Sequence, residues 1–287
     1  MRLVFGVDFS CAPTRRKPIT VAAMAWSAAA AGDADRLELL DMAALASLSD
    51  FSAFLERPGP WLGGFDLPFG QPRSLIEASG WPTDWPDFVE FFGQQPRDAL
   101  RDRFRRWCQA RPIGQKFAWR RVDRLAGSSP AMRWTNPPVA WMMQTGAPLL
   151  LAAGLWCPAH QWPRACALED LPTDARIALE AYPGHLARQI TKASYKSDTP
   201  AKQTAERRLQ RAAIVSALAE DRLGLGLQVK ADAAWWSVLV EEGSADLLDA
   251  LLCAVQAVLA VRTPGFGLPD NLDPLEGWIA SVPPPPH

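Results

Sequence analysis

The stretch "RLVFGVDFSCAP", Arg2 to Pro13, decides how the rest of the chain is read. Its opening is an apolar, strand-like run, yet Asp8 sits near the end of it. An ionised carboxylate in apolar surroundings is costly unless it is paired or bound to a metal, so Asp8 needs a partner. The same arrangement recurs as "GGFDLP" with Asp66, "IALEAYP" with Glu180, and "ADLLDALL" with Asp246 and Asp249. The first three acids lie near the ends of predicted strands, and central strands of one sheet bring their ends to a common edge. Asp246 and Asp249 are three residues apart and share a helix face, near an N-terminus where the macrodipole favours negative charge. One acidic cluster is therefore expected.

Such a cluster needs a cation, because mutual repulsion raises the pKa values of neighbouring carboxylates. Oxygen donors without Cys or His select hard ions, Mg2+ or Mn2+. Two ions held about 4 Å apart activate a water and stabilise the leaving oxygen of a phosphodiester. Each acid also has a structural alternative. Asp8 can cap the turn through "SCAPT", and Asp66 can form an Asx-turn before Leu67-Pro68. Glu180 can pair with an Arg from the middle of the chain, and Asp246 can serve the helix dipole alone. Asp249 lies deeper, among Leu248, Leu251 and Leu252, where a capping role is less natural.

The 287 residues suffice for a substantial core in a single domain with an insertion, and 48% hydrophobic with 21% charged residues is ordinary globular composition. No apolar run approaches the roughly 18–20 residues of a membrane span, and the N-terminal apolar stretch is too short for a secretory signal. The expectation is a cytoplasmic protein without membrane association. Five scattered cysteines without a C-x-x-C pair, and three histidines, argue against a zinc site. The formal charge of −1 exerts no global pull on nucleic acid. A polyanion would have to meet local clusters such as "RDRFRRW", "WRRVDR" and "KQTAERRLQR", which read first as solvated helix faces.

Along the chain, "RLVFGVDF", "ITVAAMAW" and "RLELLDMA" predict a three-strand meander. A helix is expected over Ser49 to Glu56, then a fourth strand in "PWLGGFDLPFG". From about residue 67 to 173, Trp and Pro crowd together, which predicts an insertion of short helices whose tryptophans form its own core. A fifth strand in "ARIALEAYPG", a helix over about Thr204 to Leu223, and a buried helix in "SADLLDALLCAVQAVLAV" capped by Ser244 follow. The tail, 281–287, is expected to be flexible.

The pieces "GVDFSCAPTRRKPI", "GGFDLPFGQPR", "LEAYPG" followed by "YKS", and "DLLDALLCAVQA" together resemble a family of predicted nucleases with a ribonuclease H-like fold, domain of unknown function 429. The first and last are similar also to the broader group of Holliday-junction-resolvase-like proteins. The resemblance implies an α/β fold, a ribonuclease H-like mixed five-stranded sheet flanked by helices, its first three strands antiparallel. It implies that Asp8 bridges two metal ions, Asp66 holds one, and Asp249, assisted by Asp246, closes the site, with Glu180 a catalytic acid matching the narrower family. Nucleic acid, DNA or RNA, is the implied partner. Arg73 and Lys196 are candidate substrate-binding residues; Arg15, Arg16, Lys17 and Tyr195 lie near. Two other functions share such a core: an ATP-dependent phosphotransferase of the actin and sugar-kinase type, and a binding module without chemistry. The first needs Gly-rich turns after the acid, which "GVDFSCAP" lacks.

Overall fold

The computed structural model describes residues 1–30, 32–161, 168 and 171–285. A six-stranded mixed sheet is built from β1 (Arg2–Asp8), β2 (Ile19–Ser27), β3 (Asp35–Leu45), β4 (Trp61–Asp66), β5 (Arg176–Glu180) and β6 (Leu227–Lys230), in the order β5-β4-β1-β2-β3-β6. The first three strands form the expected antiparallel meander, β4 runs parallel to β1, and β5 parallel to β4. The expected count of five strands is one short. The sixth, "LQVK", pairs in parallel with the start of β3 and is only four residues long, too short to announce itself by alternation.

Successive residues of a strand point to opposite faces, and here the two faces carry different cores. Phe5, Val7, Val21 and Phe65 pack against α1 (Leu48–Leu55) and the inserted helices. Val4, Ala22, Met24 and Leu62 pack against α8 (Pro183–Ile190), α9 (Ala205–Ala219), α10 (Ala233–Glu241) and α11 (Asp246–Arg262). The insertion fills the β4-to-β5 crossover with α2 (Arg73–Ser79), α3 (Trp85–Gln94), α4 (Arg97–Gln109), α5 (Arg121–Ala126), α6 (Val139–Ala152) and α7 (Pro158–Gln161). Trp85, Trp107 and Trp141 are buried in its core with Trp81 and Trp134 packed alongside, so these tryptophans hold the insertion together. Residues 162–165, the end of the expected helical stretch "LWCPAHQWPRA", and Cys166 lie outside the described residues.

α11 is buried on almost every side and lies directly on the sheet centre. Two glycines allow this. Gly6 of β1 and Gly64 of β4 are register partners, and a Cβ on Gly6 would meet the Ala250 carbonyl oxygen at 1.8 Å, one on Gly64 the Cys253 carbonyl oxygen at 2.2 Å. With Ala250, Cys253, Ala254 and Ala257 along its sheet-facing side, the helix approaches to backbone contact.

Several boundaries differ from expectation. α1 begins at Leu48, one residue before the expected Ser49, and Ser47 caps it by accepting the Asp50 N–H at 3.0 Å. α9 stops at Ala219 because the chain turns at Asp221, whose φ is +50° and whose carboxylate accepts the N–H groups of Leu225 and Gly226. Ser244 does not cap α11. The capping position is Ala245 at φ 61°, and the Glu242 carboxylate accepts both the Ser244 hydroxyl and the Leu247 N–H. The tail expected to be free from residue 281 is packed as far as Val282, which is buried and accepts the Trp278 indole N–H at 2.9 Å; residues 286–287 lie outside the described residues. On the outer side of β5, Trp156 bridges to Ile177 and Ile279 to Glu180. Among the described residues no single helix is long and apolar enough to cross a membrane.

Candidate active site at the carboxyl ends of the central strands

Asp8 and Asp66 end β1 and β4 and are paired in register. Each follows its facing glycine by two residues, so both carboxyl groups point to the α11 side. There the first turn of α11 brings Asp249, which is completely buried. The glycine groove thus does two things at once: it seats the helix, and it closes the distance between acids separated by more than 180 residues of sequence.

The acids feel one another. Burial, then the charges of Asp249 and Asp66, push the Asp8 carboxyl well above its ordinary range. Asp66 is pushed up to about 7, chiefly by burial, with Lys196 opposing and Asp249 adding to the rise. Burial also raises Asp249, against the pull of Lys196 and the Tyr195 hydroxyl. Among the described residues neither Asp8 nor Asp66 has a hydrogen-bonding or ion-pairing side-chain partner. Asp249 has two. Its Oδ1 accepts from Tyr195 Oη at 2.6 Å and its Oδ2 from Lys196 Nζ. The Lys196 side chain is 44% exposed, yet its ammonium reaches a fully buried carboxylate, so the stem carries most of that exposure. Burial works against the charged ammonium, but Asp249, Asp8 and Asp66 outweigh it and hold the proton more firmly than usual.

Asp246, one residue into α11, stands at the rim. It accepts from Lys17 Nζ at 3.1 Å, and the same ammonium reaches Asp198. Lys17 thereby ties the β1–β2 turn to the 191–199 segment that carries Tyr195 and Lys196. Arg15 and Arg16 are exposed on that turn.

Two expected site residues are held in ion pairs, Glu180 on the same cleft as the aspartates, together with Arg120 and Asp123, and Arg73 away from it. Glu180 is in register with Phe65, one step out of phase with Asp66, so it points to the insertion side of the sheet. There Arg120 binds it through Nη1 at 2.8 Å and Nη2 at 2.5 Å, and the Phe69 N–H donates at 3.0 Å. Asp123 completes a buried triad, accepting from Arg120 Nη2 at 2.7 Å. The pairing of Glu180 with an Arg of the inserted region is thus the arrangement found. Arg73 is held by Asp273, with Nη2 to Oδ1 at 2.7 Å, and by Glu77 at 3.3 Å, and it is not part of the wall around the aspartates. Arg120 and Asp123 were visible in sequence only as members of the basic cluster "WRRVDR".

Asp8 and Asp66 form the floor of a cleft of about 740 Å³. One wall comes from the insertion, through Ser128, Ser129, Pro137, Pro138, Val139 and Met142; the other from α8 and the 191–198 segment, with Asp246 above. A smaller cavity of about 260 Å³ lies at the opposite end of β1 and β4, lined by Arg2, Pro60 and Trp61, and among the described residues its lining contains no carboxylate.

The donor chemistry of three carboxylates suits a hard cation; the buried Cys253 thiol also feels these acids, and burial and their charges push it well above its ordinary range. As the side chains stand, however, no group of three or more His, Cys, Asp or Glu among the described residues is arranged to hold a metal ion; Lys196 and Tyr195 engage both oxygens of Asp249. Comparison of the chain with models of known protein families, with curated proteins and with solved structures finds no match.

Proposed function

We propose that this chain is a divalent-metal-dependent phosphodiesterase acting on nucleic acid, built on a ribonuclease H-like core. The observation that carries the reading is the meeting of Asp8 and Asp66 on one cleft floor with the buried Asp249 beside them and, among the described residues, a single ammonium, that of Lys196, between them. Three carboxylates against one ammonium leave negative charge that a hard cation would neutralise. Asp8, Asp66 and Asp249 would hold Mg2+ or Mn2+, which supplies water activation and neutralisation of the leaving oxygen. Lys196 serves as the counter-charge to Asp249; with an ion bound, its long stem would let it leave Asp249 and reach a substrate phosphate. Tyr195 keeps Asp249 oriented through its hydroxyl. Asp246 and Lys17 hold the rim.

The β1–β2–β3 meander with β4 and β5 added in parallel beside β1 supports the ribonuclease H-like assignment of the core. β6 is an addition at its far edge, and α2 to α7 an insertion in its second crossover. Glu180, neutralised by Arg120, acts in this reading as a structural acid.

A second reading rests on the same Lys196–Asp249 contact: a binding module in which lysine permanently replaces the cation. Purified protein with single-stranded, duplex and branched substrates separates the two. The phosphodiesterase reading expects cleavage only with Mn2+ or Mg2+, a rise in melting temperature on adding Mn2+, and loss of both in Asp8→Asn. Absence of cleavage, with Asp8→Asn and parent protein melting alike in Mn2+, favours the module.

A further inference from the structure

The walls of the cleft bear on what reaches the aspartates. In an open sheet edge the carboxylates would be available to a broad, rigid surface. Here the insertion raises Ser128, Ser129, Pro137, Pro138, Val139 and Met142 on one side, and α8 with the 191–198 segment rises on the other. The enclosed space, about 740 Å³, falls within the roughly 300–1,000 Å³ of sites that engulf a small ligand. It is the room of one or two nucleotides, not of a duplex lying across the floor.

The lining carries the two features that single strands use, cations along a groove and flat faces for bases. Lys17, Arg188, Lys192 and Lys196 bring positive charge, interleaved with Asp8, Asp66, Asp198 and Asp246, and Tyr182 supplies the part-exposed ring. The Tyr182 ring is held beneath the Arg188 guanidinium, 5.1 Å from its centroid, and its hydroxyl accepts from Arg188 at 3.1 Å. Arg188 is itself anchored to the insertion through the carbonyls of Ala126 and Gly127. The cation and ring are therefore fixed before a substrate arrives, and the two walls are tied together at this point.

From this lining we infer that the substrate is single-stranded nucleic acid, with one or two nucleotides entering the cleft and the backbone leaving past Lys192. The inference rests on the phosphodiesterase reading only for the cleavage that follows binding. Its test uses a fluorescent oligonucleotide of about ten nucleotides, alone and annealed to its complement, with the full chain and Mn2+. The expected result is cleavage of the single strand at least about tenfold faster than the duplex. Equal or faster cleavage of the duplex overturns the inference. If neither is cleaved, the phosphodiesterase reading fails, and anisotropy with the same two probes still decides the present one: the single strand must bind at least about fivefold tighter. Val139→Trp, which narrows the insertion wall, should weaken single-strand binding about tenfold while leaving the Mn2+-induced rise in melting temperature intact. Unchanged binding in that variant also overturns the inference.

Discussion

Gly6→Ala is a one-carbon change at the place where fold and site are joined. Ordinarily a strand glycine replaced by alanine gains stability, about 0.4–1 kcal/mol, through a less flexible unfolded chain. At Gly6 the added Cβ would stand 1.8 Å from the Ala250 carbonyl oxygen and 2.5 Å from the Ala254 nitrogen, where ordinary contact begins near 3.4 Å. Both neighbours are backbone atoms of a buried helix, so no side chain can rotate away. α11 must shift by about 1.6 Å, taken from the 1.8 and 3.4 Å just given, or the strand must bend. Overpacking of this kind costs about 1–3 kcal/mol and sometimes more. The overlap, at the upper end of that range, outweighs the entropic gain, and a net loss of about 2 kcal/mol is expected, a fall in melting temperature of roughly 4–8 °C for a large domain. Urea and thermal unfolding measure it. Gly64→Ala, meeting the Cys253 carbonyl oxygen at 2.2 Å, should behave alike, and the double variant should lose clearly less than the sum because one displacement of the helix relieves both overlaps. A Gly6→Ala protein within about 0.5 kcal/mol of the parent, or a strictly additive double variant, would refute the close-seated helix.

Three further outcomes follow from the same geometry. Arg120→Met leaves Glu180 and Asp123 as uncompensated buried acids and should cost about 3–5 kcal/mol in urea unfolding, whereas Glu180→Gln, still able to accept the Phe69 N–H, should cost less. Asp66 ionises near pH 7 when folded and near 3.8 when unfolded; the folded state binds the extra proton between those values, so stability should fall as pH rises from about 4 to 7. The urea midpoint measured across that range should lose this component in Asp66→Asn, and Mn2+ should offset it increasingly as the proton leaves. Tyr195→Phe removes a hydroxyl donated to a buried carboxylate and should cost about 1.5–3 kcal/mol, read by thermal unfolding without metal.

The parts of this architecture that local sequence could announce are those with a local cause. Asp8 and Asp66 stand out because each breaks an apolar strand at the same offset from a glycine, and α11 because its apolar residues run round its circumference. Their meeting was inferable from strand ends alone. Glu180 shows the limit of that inference. Strand ends fix which edge a residue is near, but the face depends on register, and a single step in the pleat gives the Glu180 carboxylate to Arg120, so it lines the cleft as a paired acid. Arg73 fails for a different reason: its partner Asp273 lies 200 residues onward, and no local pattern predicts an ion pair at that separation. Ser244 was the better capping residue by chemistry, but the chain enters α11 through a left-handed Ala245, which hands the role to Glu242.

The bridges on the outer side of β5 have a consequence for how the protein would fail. A bare outer strand is a template on which other chains can add, the first step towards fibrillar association. Here Trp156 from the insertion and Ile279 from beyond α11 occupy that position, the latter reinforced by the Ala280 N–H to the Glu180 carbonyl at 2.7 Å. Cutting the chain just after Leu268 would keep all six strands and α11 and still uncover half of this guard, so such a fragment should precipitate rather than merely lose stability.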